Sequence, residues 1–120
     1  MKILIIEDQE TIRELMSEFL SILGYVSLEA VDPQTAKSIV ENNASEIGIV
    51  ICDVLLGKTQ GPTLMKELRK WIPNAVVIFT SGFSTQDVLN GDESSSSLFL
   101  PKPFSLECLR NTLFKAISMA

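Results

Sequence analysis

Three stretches of the chain are continuously apolar, and they restrict the possible fold more than any other feature of the sequence. They cover residues 3–6, 47–52 and 75–79 and are rich in isoleucine and valine. Strands of parallel sheets have this composition because both of their faces are buried. The three stretches therefore predict an α/β protein with parallel central strands.

Segments with helical periodicity alternate with these strands. Over residues 9–23 apolar side chains recur every three or four positions, and Gly24 follows where a left-handed helix cap is expected. Similar periodicity, with a proline or serine near the start of several segments, predicts four more helices. These cover residues 33–42, 62–71, 85–90 and a last segment that follows a cap at Ser105.

Two shorter strands are predicted at residues 25–30 and 98–100, and a turn-rich loop at 57–61. Five strands that alternate with five helices predict a doubly wound sheet, because parallel strands need crossover connections and the helices then cover both faces. Four consecutive serines after residue 93 make the fourth helix short or irregular. The last helix is predicted to turn five apolar side chains inward: Leu106, Leu109, Leu113, Ala116 and Ile117.

Length and composition limit the class of protein. A chain of 120 residues is enough for one packed core and too short for two, so we predict one domain over residues 1–120. No apolar run approaches the ~18 residues of a membrane span. The first residues also lack the long apolar segment of a secretory signal. We therefore expect a cytoplasmic protein without membrane contact.

Charge and missing residue types exclude several functions. The net charge of −5 repels a phosphate backbone, so direct nucleic-acid binding is not expected. Because the chain has no histidine, Ser-His and Cys-His mechanisms are excluded. The two cysteines lie far apart in sequence, which favours a reducing compartment. Cys52 is predicted to be buried in a strand and Cys108 to lie on a helix surface.

Polar side chains stand where the predicted strands end. Glu7 and Asp8 follow the first strand and Asp53 follows the third, while Thr80 and Lys102 follow the fourth and fifth. In an open parallel sheet these ends share one edge, where ligands bind. Two unit charges ~4 Å apart repel by about 4 kcal/mol at an effective dielectric near 20, so three carboxylates there need a cation. Oxygen ligands at an open rim suit Mg²⁺.

A hydroxyl, a lysine and a divalent cation around a carboxylate can stabilise a phosphoryl group during transfer. Asp53 is the predicted nucleophile, which forms an aspartyl phosphate. The sequence therefore predicts a phosphoryl-transfer site at the carboxyl edge of the sheet.

The polar residues at the strand ends also form an ordered signature. It consists of Glu7-Asp8, the lone Asp53, the Thr-Ser-Gly run at 80–82 and the Lys-Pro-Phe run at 102–104. In this signature the chain resembles, over essentially its whole length, the receiver domain of two-component response regulators. The resemblance implies a flavodoxin-like sheet with strand order 2-1-3-4-5. It also implies that Asp53 accepts a phosphoryl group from the phosphohistidine of a histidine kinase or phosphotransfer protein.

The resemblance further implies how the site is divided. Thr80 and Lys102 are implied to hold the phosphoryl oxygens. The Lys102-Pro103 peptide is often cis in such domains. The implied Mg²⁺ ligands are Asp8, Asp53 and the backbone carbonyl of Leu55, with Glu7 helping through water.

A switch is implied as well, in which phosphorylation draws Thr80 inward and lets Phe99 turn toward the space left behind. The surface of the fourth helix, fifth strand and fifth helix then changes for a downstream protein partner. The settings Gly-Phe-Ser after residue 81 and Leu-Pro-Lys-Pro-Phe after residue 99 also look like receivers fused to sensor kinases.

Three other functions remain as alternatives. A degenerate receiver acts as a protein-interaction module without phosphorylation. A phosphohydrolase of the haloacid-dehalogenase kind needs a second acid two residues after its nucleophile, where Leu55 stands. A nucleotide-binding module needs a Gly-rich phosphate loop after the first strand, where Glu7 and Asp8 stand. The sequence therefore favours the phosphoryl-accepting receiver.

Overall fold

A five-stranded parallel sheet forms the centre of the molecule. The computed structural model describes residues 1–82 and 97–119. Its strands, in chain order, are β1 (Lys2–Ile6), β2 (Val26–Ala30), β3 (Ile47–Asp53), β4 (Leu55–Leu56), β5 (Thr59–Gln60), β6 (Val76–Ser81) and β7 (Ser97–Pro101). The main sheet has the order β2-β1-β3-β6-β7, with every neighbouring pair parallel. Since β6 and β7 are the fourth and fifth predicted strands, the implied order is confirmed.

The loop predicted at residues 57–61 is the turn and second strand of a small antiparallel hairpin that begins at Leu55. β4 and β5 are two residues long, and Leu56 pairs with Thr59. Gly57 lies in the turn with a φ of +61°, a left-handed conformation that glycine adopts without steric cost. Strands of two residues are too short to show the alternation by which a sequence reveals a strand, and the hairpin was therefore missed.

Four helices lie in the described part of the chain: α1 (Glu10–Ile22), α2 (Pro33–Asn43), α3 (Gly61–Leu68) and α4 (Leu106–Met119). They correspond to the first, second, third and fifth predicted helices, while the fourth, at 85–90, falls outside the described residues. The predicted helix-boundary residues have the expected geometry in the structure. Asp32 accepts the Thr35 N–H at 2.7 Å and Pro33 opens α2, while Gly24 follows α1 with a φ of +89°.

The third helix ends earlier than predicted. It was expected over residues 62–71, but the helix stops at Leu68 and the chain continues in turns. The Trp71 N–H donates to the Leu68 carbonyl at 3.0 Å, three residues back rather than four. This tighter winding is common at helix ends. It accompanies the placement of Ile72 in the core, where its side chain is 3% exposed.

The core lies on both faces of the sheet. Along β3, Val50 and Cys52 join a cluster under α2 and α3, whereas Ile49 and Ile51 join a cluster under α1 and α4. This alternation is the two-residue period of a strand. Helices therefore cover both faces and the predicted doubly wound architecture is confirmed. Cys52 is fully buried and Cys108 exposed, also as predicted.

One prediction about α4 is wrong. Leu109, Leu113 and Ala116 are buried, but Ile117 is 42% exposed and Leu106 is only half-buried. The buried side chains follow a stripe with steps of four and three residues. Ile117 directly follows Ala116 and is turned about 100° away from it around the helix, since one turn takes 3.6 residues. The sheet therefore receives three of the five predicted side chains in full.

Candidate functional site

The predicted polar residues gather at the carboxyl edge of the main sheet. Strand register explains this, because Ile6 pairs with Cys52 and Asp53 pairs with Thr80. The residues that follow these strands are therefore level with one another. Four side chains converge in the structure: Glu7, Asp8, Asp53 and Lys102.

Lys102 stands at the centre of this group. Its ammonium Nζ lies 2.6 Å from Glu7 Oε1 and 3.1 Å from Asp53 Oδ2. Its backbone N–H donates to the Ser81 carbonyl at 2.9 Å, which ties the end of β7 to the end of β6. The Lys102-Pro103 peptide bond is cis, as the resemblance implied.

Glu7 is held by the elements around it. The Glu7 N–H donates to the Ala30 carbonyl of β2 at 3.1 Å. The Arg13 guanidinium of α1 donates to the Glu7 carbonyl at 3.0 Å. The second carboxylate oxygen, Oε2, accepts the Gln9 N–H at 3.1 Å. The residue is 3% exposed, so its carboxylate points inward from the end of β1.

Burial and pairing act differently on the two ends of the ion pair. Burial raises the pKa of Glu7, and the hydrogen bonds from Lys102 and the Gln9 N–H offset this only in part. For Lys102, burial acts to lower the pKa, but hydrogen bonds to Glu7 and Asp53 outweigh it and leave the pKa above its usual value. Lys102 has two carboxylate partners, whereas Glu7 shares this one lysine with Asp53.

Asp53 faces the same group from β3. It is 8% exposed, and its Oδ1 accepts the Leu55 N–H at 3.2 Å. Gly61 packs against its backbone, and a Cβ at that position would overlap the Asp53 carbonyl oxygen. Sequence reasoning missed Gly61, although the glycine at the start of a predicted helix was a signal of close backbone approach.

The three acids fit a divalent cation. Glu7, Asp8 and Asp53 each offer a carboxylate oxygen, and these oxygens lie within 4.8 Å of one another. Two of the side chains are buried and Asp8 is exposed, so the group opens toward solvent on one side. Oxygen donors with one open side suit Mg²⁺, which retains several waters.

A cleft of about 440 Å³ opens in front of these residues. Besides Asp53 and Lys102 it is lined by Asp8, Gln9, Leu55, Gly57, Ser81 and Gly82. Thr80 was the predicted hydroxyl, and it is 2% exposed at the end of β6. Among the described residues that line the cleft, Ser81 is the one with a hydroxyl group, and it is itself 4% exposed. The adjacent serine in the Thr-Ser-Gly run was the signal for a second hydroxyl.

Phe99, the predicted aromatic of the switch, lies on β7 beside Phe79 of β6. Its side chain is 37% exposed, so it stands on the surface of the sheet edge rather than in the core. It is three residues before Lys102, on the strand that leads to the site.

Comparison with known proteins identifies the family. A sequence model of the response regulator receiver domain matches residues 3–114. The chain belongs to this family. Receiver domains are signalling switches of two-component systems, and the flavodoxin-like fold described above is the fold of this family.

Two curated relatives illustrate the match. The receiver is 36% identical over 112 residues to the sensor kinase CckA of Brucella abortus. This match covers 92% of the present chain and 12% of the kinase. It is 32% identical to the probable transcriptional regulator ycf27 of Porphyridium aerugineum, covering 87% of this chain and 42% of that protein. The chain thus spans less than half the length of either relative.

Two solved structures are similar throughout. The receiver domain of the hybrid histidine kinase CckA has a TM-score of 0.84 and 32% identity, covering 98% of this chain and 99% of that one. A receiver domain protein from Clostridium thermocellum has a TM-score of 0.86 and 29% identity, covering 98% and 94%. Within the described residues of our receiver, no helix has the length and apolar character needed to span a bilayer.

Proposed function

We propose that this receiver, as one domain over residues 1–120, accepts a phosphoryl group on Asp53 and thereby changes the surface offered to a partner protein. The observation that carries the proposal is the setting of Asp53. Its carboxylate is nearly buried, lies 3.1 Å from the Lys102 ammonium and lines the cleft at the carboxyl edge. A carboxylate so placed can reach an incoming phosphorus atom while a fixed cation offsets the charge that develops.

The reaction is a transfer between two nucleophiles. An Asp53 carboxylate oxygen forms a bond to the phosphorus of a partner's phosphohistidine. The phosphorus–nitrogen bond breaks and its electron pair returns to the imidazole, which is thereby restored. Water later attacks the aspartyl phosphate and regenerates Asp53. The receiver therefore acts only on its own phosphorylation state and turns over no external substrate.

Mg²⁺ is the proposed cofactor. Asp8, Asp53 and the Leu55 carbonyl would hold it, with Glu7 helping through water, and the close grouping of three carboxylates supports this assignment. When bound, Mg²⁺ supplies positive charge that offsets the negative charge of acids and phosphoryl oxygens. Lys102 offers a second positive charge to the same oxygens.

The end of β6 supplies the hydroxyl that contacts the phosphoryl group. Thr80 is the residue implied by resemblance, and it pairs in register with Asp53. Ser81 lines the cleft beside Asp53 and Lys102. We propose that Thr80 and Lys102 hold the phosphoryl oxygens. Thr80 is also the proposed partner of Phe99 in the switch, because it directly follows Phe79, the residue that pairs with Phe99.

The phosphoryl donor is a histidine kinase or a phosphotransfer protein, and the signal passes to a downstream protein. The similarity to the receiver of a hybrid histidine kinase supports this kind of donor. A net charge of −5 disfavours direct contact with nucleic acid. We propose a cytoplasmic location without membrane contact, in keeping with the chemistry of such donors.

Intact mass spectrometry after incubation with acetyl phosphate tests the proposal. The wild type is expected to gain one phosphoryl group in the presence of Mg²⁺ and none in EDTA, and Asp53→Asn is expected to gain none. Asp32→Asn is the matched control, because it removes an exposed carboxylate from the same sheet edge and is expected to react like the wild type.

The two hydroxyls are separated by a further pair of variants. Thr80→Ala is expected to slow the phosphoryl gain on the order of tenfold or more, as loss of one donor to a developing charge does. Ser81→Ala is expected to keep a rate closer to the wild type. Phosphorylation of wild type and Asp53→Asn alike would contradict Asp53 as acceptor. No gain from acetyl phosphate or from a phosphohistidine donor would favour the degenerate receiver.

A further inference from the structure

Arg13, near the start of α1, reaches back to the two strands that flank this helix in the chain. Its Nη1 donates to the Glu7 carbonyl at 3.0 Å, at the end of β1. Its Nε lies 3.6 Å from Oε1 of Glu29 on β2. The arginine side chain is 17% exposed, so this bridge is largely withdrawn from solvent.

The carbonyl that Arg13 binds belongs to the peptide unit between Glu7 and Asp8. A peptide unit is planar, so the direction of its C=O determines where the Asp8 Cα lies relative to Glu7. The other side of Glu7 is held as well, because its N–H donates to the Ala30 carbonyl of β2 at 3.1 Å. Arg13 therefore fixes the piece of backbone from which the Asp8 side chain extends.

Asp8 is the member of the three-acid group that depends most on its backbone for its place. Glu7 and Asp53 are nearly buried, and the Lys102 ammonium contacts both of them. Asp8 is exposed, yet its carboxylate oxygen lies within 4.8 Å of those of the other two acids. A contact that fixes the Glu7–Asp8 peptide therefore helps to keep the group together.

We propose that Arg13 is a positioning residue for the cation site, which keeps Asp8 beside Glu7 and Asp53 by holding the Glu7 carbonyl, and that Glu29 anchors the arginine. The inference rests on the proposed Mg²⁺ site and adds to it the residues that orient one of its ligands. Removal of contacts that orient the ligands of a metal typically lowers its affinity by about 10–100-fold.

The charge of Arg13 and its positioning role predict opposite effects on Mg²⁺ binding. A guanidinium repels a divalent cation, so its removal would tighten binding if charge alone mattered. Loss of the contact to the Glu7 carbonyl would weaken binding, because the cation must then order that backbone itself. The sign of the change in affinity therefore separates the two roles.

Calorimetric titration with Mg²⁺ at constant pH and ionic strength measures that sign. Arg13→Met removes the guanidinium and retains a long side chain, and we expect it to bind Mg²⁺ more weakly by on the order of tenfold. Arg13→Lys retains the charge and one donor for the carbonyl, and it is expected to recover part of the affinity. Arg110→Met is the matched control, since it removes the same charge from an exposed position on α4, and its affinity is expected to remain within about twofold of the wild type.

Glu29→Gln gives a second readout, which leaves Arg13 in place. It is expected to weaken Mg²⁺ binding by about two- to fivefold, as loss of a partly exposed ion pair does. Glu14→Gln removes the same charge from the same surface groove between α1 and β2, and it is expected to leave the affinity unchanged. In the Arg13→Met background Glu29→Gln is expected to add nothing, whereas an effect of charge alone would be the same in both backgrounds. The two glutamate variants also decide the matter if Arg13→Met does not fold.

The outcomes separate the inference from the proposed function. Weaker Mg²⁺ binding by Arg13→Met with partial recovery in Arg13→Lys supports the positioning role. Unchanged or tighter binding by folded Arg13→Met overturns it and leaves the cation site standing, even if urea denaturation shows a loss of stability. Equal affinities of Glu29→Gln and Glu14→Gln overturn the anchoring by Glu29. Absence of Mg²⁺ binding in the wild type overturns both the inference and the cation site.

Discussion

An acidic residue follows both β1 and β2, but one of the two is buried in the site and the other caps a helix at the surface. Glu7 follows β1, is 3% exposed and has its pKa raised by burial. Asp32 follows β2, is exposed and has its pKa lowered by hydrogen bonding to Thr35. β1 lies between two strands of the sheet, whereas β2 lies at its edge. Position within the sheet therefore decides whether an acid becomes part of a site or a helix cap.

The physical reason is the number of neighbours. Glu7, directly after the inner strand β1, is enclosed by the ends of the strands on either side, so its carboxylate loses water and needs a fixed cation. An acid after an edge strand keeps water on one side and can pair with the first N–H groups of the following helix. The predictions below test whether enclosure sets the size of each effect.

The largest stability effect is expected at Gly61, which packs against the inner strand β3. In Gly61→Ala the added Cβ overlaps the Asp53 carbonyl, a backbone atom that cannot move without shifting the strand end. We expect the free energy of unfolding to fall by about 3 kcal/mol, as overpacking of a close backbone contact does. Urea denaturation measures it.

Gly57→Ala is the control for that prediction. Gly57 has no atom within 4 Å of an added Cβ, but its φ of +61° strains any other residue. A loss of about 1–2 kcal/mol is expected there. If Gly61→Ala proved no more destabilising than Gly57→Ala, the close contact at Asp53 would not constrain the strand end.

The next effect is the difference between an enclosed and an open ion pair. Without divalent cations, Lys102→Met is expected to lower the free energy of unfolding by about 2 kcal/mol, because two nearly buried carboxylates lose their cation. Lys37→Met breaks an exposed pair with Glu67, whose side chains are 46% and 48% exposed, and is expected to cost less than about 1 kcal/mol.

Chemical denaturation in EDTA compares the two lysine variants. Equal losses for the two variants would show that enclosure at the carboxyl edge has no energetic consequence.

The smallest effects are in the pH dependence of the two strand-end acids, and they have opposite signs. The lowered pKa of Asp32 means that its carboxylate stabilises the fold above its unfolded pKa of 3.8, and that this contribution is lost as pH falls through the lower folded value. The raised pKa of Glu7 means that its contribution to stability improves as pH falls toward 4.5.

Urea denaturation between pH 3 and pH 7 measures both contributions against variants that do not titrate. The wild type is expected to lose stability relative to Asp32→Asn in the acidic part of this range. It is expected to gain stability relative to Glu7→Gln as pH falls from neutral. Parallel profiles for the two comparisons would contradict the assigned roles.

The architecture was accessible from sequence because its signals are local. Apolar runs such as 47–52 predict buried strands, and Asp32-Pro33 and Gly24 mark helix boundaries through their own backbone preferences. Where the structure departs from prediction, the cause is tertiary. The helix α3 ends at Leu68 where the chain turns to place Ile72 in the core, and the narrow buried stripe of α4 leaves Ile117 exposed.

The sequence by itself determined the α/β class and which residue types meet at the carboxyl edge, because period, caps and strand ends are written in neighbouring residues. Only the tertiary structure decided the pairings within that edge. That Lys102 holds both Glu7 and Asp53, that Ser81 lines the cleft, and that Gly61 supports Asp53 depend on contacts between residues distant in sequence. Such contacts follow from strand register and close packing, which no local pattern encodes.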